Sequence, residues 1–289
     1  MSSTYSLESL NAAADAVFTA ALGDIYEHSP WVAQAAAARR PFPKLAALHA
    51  AMADAVRAAP EAARLELVRA HPDLAGKAAR ASTLTAASTG EQASAGLDRL
   101  SEEEFARFHR LNDAYRLKFG FPFIVCVRRH GKESILRQFE RRLEHSAEAE
   151  LATALDEIVR IAALRLDQRV SAEDRLEVCG RLTTHVLDVS RGMPAPGIGV
   201  ELWELPESGE GRLVTRTTTN GDGRTDKPLI EGRPIAIATY ELRFAVGGYF
   251  AGAGMLDTVP VRFAVAEPEG HYHVPLLATP WSYTTYCGS

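Results

Sequence analysis

The chain changes its character once, between Gln168 and Gly180. Before this stretch, alanine-rich segments place apolar residues three and four positions apart, which is typical of amphipathic helices. After it, β-branched residues stand among frequent glycines and prolines, which is typical of short strands and turns. The two patterns suit different layers of secondary structure, so the sequence predicts two domains. We expect an all-α helical domain over residues 1–168, a linker over 169–180 and an antiparallel β-sandwich over 181–289.

The last predicted helix directs a cation toward the protein interior. Leu155, Ile158 and Ala162 lie on its apolar face at spacings of three and four. The next position on that face is Arg165. A buried guanidinium needs an anionic partner. The helical pattern leaves open whether this partner is a protein carboxylate or a ligand.

Two further signals concern the helical part. Ser101 and Glu104 have the spacing of a capping box, which predicts that a helix starts there. The apolar run Phe121–Val127 is too short to assign by periodicity. We interpret it as a buried connector or as the start of a helix.

His71 and Glu91 are candidates for proton transfer. His71 stands at a predicted helix end before Pro72, where the chain leaves the helix and the ring can face a cavity. Glu91 follows about 20 residues later. Ser88 and Glu91 also have capping-box spacing, in which case Glu91 only caps its own helix. Spacing alone leaves both interpretations open.

Histidines are also prominent in the C-terminal part. Side chains alternate between the two faces of a strand, so His271 and His273 project from one face. The pair indicates a site for proton transfer or metal, or else a solvated strand face. A zinc site usually has three or four protein ligands, and the Cys, Asp and Glu residues are not spaced to complete one. Strands are predicted over Leu182–Ser190, Ile235–Phe244 and His271–Ala278. His185 lies on the first of these, where a lone histidine is more often structural.

Charge and composition restrict the class of partner. The net charge is -5, and from residue 172 onward 15 Asp and Glu stand against 10 Lys and Arg. Neither part has the basic balance of a nucleic-acid-binding protein, and no apolar run approaches the roughly 20 residues that span a bilayer. Cys126, Cys179 and Cys287 are widely spaced, which argues against a disulfide framework. We therefore expect a cytoplasmic protein that binds small molecules and neither nucleic acid nor membrane.

The helical part contains three distinctive segments, which are His71-Pro-Asp-Leu-Ala-Gly76, Ser88-Thr-Gly-Glu-Gln-Ala-Ser-Ala-Gly-Leu97 and Phe119-Gly-Phe-Pro-Phe-Ile-Val125. In this order they closely resemble the OHCU decarboxylase family, whose members act on 2-oxo-4-hydroxy-4-carboxy-5-ureidoimidazoline (OHCU). The resemblance covers nearly all of residues 1–168.

That resemblance implies an all-helical enzyme that forms (S)-allantoin and needs neither a metal nor an organic cofactor. The matching positions imply that His71 and Glu91 are catalytic, without indicating which of them delivers the final proton. They also imply a substrate pocket lined by Pro72, Ser88, Gln92, Phe123, Ile124 and Arg165. The substrate would then supply the anionic partner of Arg165.

The C-terminal part contains Leu182-Thr-Thr-His-Val-Leu-Asp188, Asn220-Gly-Asp-Gly-Arg224, His271-Tyr-His-Val-Pro-Leu-Leu277 and the terminus Tyr286-Cys-Gly-Ser289. From about residue 181 to the end it closely resembles 5-hydroxyisourate hydrolase, the transthyretin-related enzyme. The resemblance implies catalytic roles for His185, Arg224 and His273, with the terminal Ser289 completing a site that has no metal. It also implies a tetramer with its sites at subunit interfaces.

One position departs from that pattern, because the family's terminal Tyr-Arg-Gly-Ser has Cys287 in place of arginine here. A cation is thereby lost from the edge of the expected site. Another arginine compensates, or hydrolysis is weaker, or binding without turnover remains. A fourth reading is that Cys287 is a neutral replacement, since a thiol packs as a small hydrophobe.

The two resemblances name consecutive steps of urate breakdown, which supports each of them. They predict a bifunctional enzyme acting on 5-hydroxyisourate and OHCU. The alternative is an active OHCU decarboxylase whose β domain serves mainly for oligomerisation or ligand binding. A homo-oligomer is expected in either case, with a tetramer-forming β domain and a dimeric helical domain as a further option.

Overall fold

The computed structural model describes residues 4–75, 85–207, 209–252 and 254–288. They form two compact units. The helical unit contains the described residues up to 127 and those from 135 to 178, and the β unit contains 128–134 and the described residues from 179 onward. The predicted order, helices first and strands second, is confirmed.

Nine α-helices occur between residues 4 and 178 in the described part of the chain. They are α1 (Leu7–Ala12), α2 (Asp15–Leu22), α3 (Trp31–Ala37), α4 (Leu45–Ala58), α5 (Glu61–Arg69), α6 (Ala86–Ser94), α7 (Glu102–Phe119), α8 (Lys132–Arg142) and α9 (Ala147–Arg169). A 3-10 turn spans Val127–Arg129. None of the helices among the described residues is both long and apolar enough to cross a membrane.

Helix α7 begins and ends as its sequence dictates. The Ser101 side chain accepts a hydrogen bond from the Glu104 backbone, and the Glu104 side chain accepts one from the Ser101 backbone, so the predicted capping box is confirmed. The helix ends at Gly120, whose φ of 73° is left-handed. The segment 121–126 that follows is buried and not helical, so it is a connector.

The helical unit also contains one pair of short parallel strands among its described residues. Strand β1 (Tyr5–Ser6) pairs with β2 (Val170–Ser171), which directly follows α9. The sequence did not predict this pair, because two-residue strands carry no readable alternation. Strand β2 falls within the stretch 169–180 that composition marks as a linker.

The β unit contains eleven strands among its described residues. They are β3 (Gly180–Thr183), β4 (Val186–Asp188), β5 (Met193–Pro194), β6 (Gly199–Leu205), β7 (Arg212–Thr218), β8 (Ile230–Arg233), β9 (Thr239–Ala245), β10 (Thr258–Ala264), β11 (His271–His273), β12 (Leu276–Ala278) and β13 (Tyr283–Thr285). A short helix, α10 (Val246–Tyr249), follows β9.

The strands form three sheets in the orders β10-β9-β6-β7, β11-β3-β8 and β13-β12-β4-β5. Their apolar side chains share one core cluster, as expected for a sandwich. Most pairs are antiparallel, as predicted. The exceptions are β3 with β11 and β4 with β12, which run parallel.

Two predicted strands are each interrupted at a histidine. The strand expected over Leu182–Ser190 divides into β3 and β4 around His185, and the one expected over His271–Ala278 divides into β11 and β12 just after His273. Pro275 lies in the second gap and has no N–H for a ladder. Both histidines therefore lie at sheet breaks, where side chains can face a site.

Candidate active sites

A cleft in the helical unit gathers residues from distant parts of the chain. It contains about 360 Å³ of empty space, part of which is open to solvent. All eight residues predicted for this domain line it, namely His71, Pro72, Ser88, Glu91, Gln92, Phe123, Ile124 and Arg165. The remaining lining residues are the apolar Leu74, Val125, Val127 and Ile161. The structure thus brings the eight predicted residues together, whereas their roles in catalysis and substrate binding stay predictions.

His71 lies in the cleft as a neutral imidazole. Its Nδ1 is 3.0 Å from the carbonyl oxygen of Leu67 and donates to it, because a carbonyl can only accept. Nε2 is therefore unprotonated, and it is buried without a hydrogen-bond partner among the described residues. Burial lowers the pKa of His71 to about 4. In this state His71 can accept a proton at Nε2 near neutral pH but cannot donate one there.

Arg165 and Glu91 form a forked ion pair. Nε and Nη2 of Arg165 lie 2.7 and 2.8 Å from the two Glu91 oxygens. Helix α6 is capped instead by Thr85, whose side chain accepts from the Ser88 backbone. The interpretation of Glu91 as a capping-box residue is therefore wrong, and its carboxylate faces the cleft.

A second carboxylate, Glu27, holds the other arm of Arg165. Its Oε2 lies 2.8 Å from Nη1 of Arg165, and its Oε1 accepts from the hydroxyls of Thr85 at 2.8 Å and Ser88 at 3.3 Å. Burial by itself raises the pKa of Glu27, but the charge of Arg165 and the hydrogen bonds from Arg165 and Thr85 lower it overall. Nothing in its spacing distinguishes Glu27 from a solvated loop residue, so it is absent from the predicted site.

These contacts answer the question that the helix pattern left open. Arg165 points inward as predicted, with its side chain 9% exposed. Its anionic partners are protein carboxylates, so no anion is missing at this guanidinium. The two protein carboxylates therefore account for the burial of Arg165 without an anion from the substrate.

Gln92 ties α6 to the segment that follows His71. Its Oε1 accepts from the backbone N–H of Ala75 at 3.0 Å, and its Nε2 donates to the carbonyl of Asp73 at 3.4 Å. Both the oxygen and the nitrogen of the Gln92 amide therefore bond to the backbone of one loop. Gln92 fixes the position of this loop beside the cleft.

A buried ion pair supports the wall formed by Phe123 and Ile124. Arg142 is 1% exposed and pairs with the fully buried Glu150. Its Nη1 donates to the Ile124 carbonyl at 2.7 Å, and its guanidinium lies 4.5 Å from the Phe123 ring centroid. The predicted pocket residues therefore rest on a charge that the sequence pattern did not indicate.

A second group of predicted residues meets in the β unit. His185 and Arg224 pair backbone to backbone across an isolated bridge. The turn before Arg224 is held by Asn220, whose side-chain oxygen accepts from the Arg224 N–H at 3.2 Å. Gly223 in this turn has φ of 69°, and a Cβ there would lie 2.3 Å from the Val186 carbonyl. Only glycine therefore lets this turn approach His185.

His273 faces the same region and is bound by a hydroxyl. Thr183 Oγ1 lies 2.9 Å from His273 Nδ1 and 3.3 Å from His271 Nε2, so the two histidines share a strand face as predicted. Burial first, and then the nearby charge of Arg224, lower the pKa values of His273 and His185. Nε2 of His185 is buried without a partner among the described residues. Both rings are therefore biased toward the neutral, proton-accepting form.

Gly288 lies beside His273. The Gly288 N–H donates to the His273 carbonyl at 2.9 Å, and a Cβ at Gly288 would lie 2.7 Å from the His273 ring. Cys287 is exposed. Ser289, the remaining predicted catalytic residue, lies outside the described residues. In the described part of the chain, no three His, Cys, Asp or Glu side chains are grouped to hold a metal ion.

Comparison with known proteins divides the chain in the same way. The family model described as OHCU decarboxylase matches residues 11–167, and the model of the HIUase/transthyretin family matches residues 182–288. The 2-oxo-4-hydroxy-4-carboxy-5-ureidoimidazoline decarboxylase of Haloferax volcanii is 46% identical over 58% of this chain and 97% of its own length. The 5-hydroxyisourate hydrolase of Halalkalibacterium halodurans is 50% identical over 38% of this chain and 98% of its own.

One solved structure matches both parts together. The crystal structure of (S)-allantoin synthase is 35% identical to this chain, covers 98% of it and is itself covered over 100%, with a TM-score of 0.51. The chain therefore belongs to the OHCU decarboxylase family through its helical part and to the HIUase/transthyretin family through its β part.

Proposed function

We propose that this chain is a bifunctional enzyme of urate breakdown. Its β unit hydrolyses 5-hydroxyisourate to OHCU, and its helical unit decarboxylates OHCU to (S)-allantoin. The observation that carries the proposal is that one chain joins the families of two consecutive enzymes, each over nearly the full length of its relatives. We propose that residues 169–180 are the linker between the two units.

In the decarboxylation, the imidazoline ring takes up the electron pair of the breaking carbon–carboxylate bond. The protein then has to hold the carboxylate out of the ring plane and protonate one face of the carbanion. His71 fits this second task as a shuttle. Its bare Nε2 first accepts a proton from the substrate hydroxyl, and after carbon dioxide has left it returns that proton to carbon.

Glu91 is less suited to deliver the final proton. Arg165 donates to both of its oxygens, which stabilises the ionised carboxylate. A carboxylate held in this way carries no proton to give, but it can accept hydrogen bonds from the N–H groups of the ureido arm. We therefore assign the proton transfer to His71 and the orientation of the substrate to Glu91.

In the hydrolysis, a water oxygen bonds to the ring carbonyl carbon while a neutral histidine accepts the water proton. The lowered pKa values of His185 and His273 keep both rings available for this step near neutral pH. Arg224 is exposed and stabilises the oxyanion that forms. The ring carbon–nitrogen bond then breaks, and the leaving nitrogen takes up the proton.

A second candidate function is favoured by Cys287. Without the terminal arginine of its family, the β unit could serve for assembly or ligand binding beside an active decarboxylase. The presence of His185, Arg224 and His273 around one region supports catalysis instead, because a scaffold has no need of all three.

The proposal also includes assembly and location. We propose that the chain forms a tetramer through the β unit, with the helical unit as a further dimer contact, and light scattering tests this assembly. We also propose a cytoplasmic location, which cell fractionation tests.

The direct experiment adds freshly generated 5-hydroxyisourate to the wild-type protein and to the His71→Ala and His273→Ala variants. Ultraviolet absorbance follows each step, and optical rotation follows the product. We expect His71→Ala to accumulate OHCU and His273→Ala to stall at 5-hydroxyisourate. Each accumulated compound should then decay only at its uncatalysed rate. His109, whose side chain is 40% exposed, provides a control, since His109→Ala should behave as wild type. A variant at His71 or His273 that behaves as wild type removes that residue from its site.

A further inference from the structure

Glu27 is a buried carboxylate that does not line the decarboxylase cleft but contacts two residues that do, Arg165 and Ser88. It follows α2 in the chain and is 4% exposed. One oxygen binds Arg165 on α9, and the other accepts from Thr85 and Ser88 at the start of α6. Glu27 therefore connects the helix that carries Arg165 with the helix that carries Glu91.

The hydrogen bonds of Arg165 show what Glu27 does to it. A guanidinium has five N–H donors. Nε and one hydrogen of Nη2 are used by Glu91, while Nη1 donates to Glu27 and to the Ile25 carbonyl at 3.4 Å. The second Nη2 hydrogen has no acceptor among the residues that the structure describes. Among the described residues, two carboxylates thus surround this one cation, so the group of three side chains has a net negative charge.

A cation that is occupied in this way matters for a decarboxylation. The reacting carboxylate is charged, whereas the carbon dioxide that leaves is neutral. An ion pair between an arginine and this carboxylate would stabilise the bound reactant more than the transition state and would slow the reaction. Keeping Arg165 engaged with protein carboxylates avoids that pair.

We infer that Glu27 is a positioning residue of the decarboxylase, which holds one arm of Arg165 so that the guanidinium orients Glu91 and does not pair with the substrate carboxylate. The inference rests on the proposed decarboxylation of OHCU. It assigns a role to a residue that the substrate need not touch.

The test is Glu27→Gln, which keeps the shape of the side chain and removes its charge. Nη1 of Arg165 is then held less strongly and becomes available to an anion. We expect the KM for OHCU to fall about tenfold, because a new ion pair binds the reactant, while kcat falls at least about tenfold. The inhibition constant of (S)-allantoin, which has no carboxylate, should stay within about twofold of wild type.

A matched control is the neighbouring ion pair between Asp24, three residues before Glu27, and Arg169, one helical turn after Arg165. Asp24 binds Arg169 through two hydrogen bonds of 2.9 Å, in the same two segments that hold Glu27 and Arg165. Asp24→Asn breaks that pair, and its side chain is 66% exposed. We expect this variant to keep the wild-type kcat and KM. Glu27→Asp keeps the charge and should keep a KM close to wild type, which makes the test independent of whether Glu27→Gln folds well.

The outcomes are distinct. A lowered KM in Glu27→Gln, with unchanged KM in Glu27→Asp and Asp24→Asn, supports the inference. A KM that is unchanged or raised in a folded Glu27→Gln protein, as judged by circular dichroism, overturns it, and so does a lowered KM in Glu27→Asp. A wild-type protein that releases no carbon dioxide from OHCU above the spontaneous rate instead overturns the proposed function.

Discussion

Nε and Nη2 of Arg165 lie 2.7 and 2.8 Å from the two carboxylate oxygens of Glu91, 74 residues away in the chain. The fork fixes the carboxylate in one plane at the edge of the cleft. Lysine has the same charge but cannot donate two parallel hydrogen bonds. The geometry of this pair therefore gives the first prediction.

Replacing Arg165 by lysine should lower kcat for decarboxylation about 100-fold, because Glu91 loses its fixed orientation toward the substrate. Stopped-flow absorbance with OHCU measures this rate. Arg169→Lys, one turn further along α9, is the control and should lower kcat less than about threefold. Equal losses in the two variants would show that the fork has no special role.

His71 should make the helical unit less stable in mild acid. Its pKa is about 4 when folded, against 6.5 when unfolded, so the unfolded chain binds more protons between these values. Stability due to this group is present above pH 6.5 and is lost as the pH falls toward 4. Between pH 7 and pH 5 the loss is about 2 kcal/mol.

Urea unfolding followed by the helical circular dichroism signal measures this loss. In His71→Gln the side chain does not titrate, so the decrease in unfolding free energy between pH 7 and pH 5 should be smaller by that amount. The same decrease in wild type and variant would mean that His71 is not held as a neutral ring.

Thr183 should determine which nitrogen of His273 carries the proton. Its hydroxyl lies 2.9 Å from Nδ1, so Thr183→Val removes the only side-chain partner that the described residues give to that atom. We expect kcat/KM for 5-hydroxyisourate to fall about tenfold, whereas Thr183→Ser should stay near wild type. Nitrogen NMR of the His273 ring should show a changed tautomer ratio in the valine variant alone. An unchanged ratio contradicts this role.

Cys287→Arg should increase the rate of hydrolysis. The substitution restores a cation at the edge of a site in which negative charge develops, and we expect about a tenfold gain in kcat/KM at low salt, decreasing with ionic strength. Cys287→Ala is the control and should resemble wild type. If the arginine variant gains nothing, another cation already fills this role. Decarboxylation should be equal in all three proteins.

Several features could be predicted because they depend on neighbours in the chain. The capping box at Ser101 requires contacts over only three residues, and the shared face of His271 and His273 follows from strand alternation. By contrast, the strand expected over Ile235–Phe244 begins only at Thr239. The N–H of Ile235 instead bonds to the carbonyl of Pro268, a contact that no local pattern indicates.

The sequence by itself determined that helices precede strands, that Arg165 points inward and which residues are candidates for catalysis. Only the tertiary structure decided what Arg165 binds, because Glu27 lies 138 residues away from it in the chain and Glu91 lies 74 away. A helical period tells which side chains are buried. It cannot tell which charges meet there, since ion pairs form through space between segments that the fold brings together, and a buried charge must find such a partner to offset its desolvation.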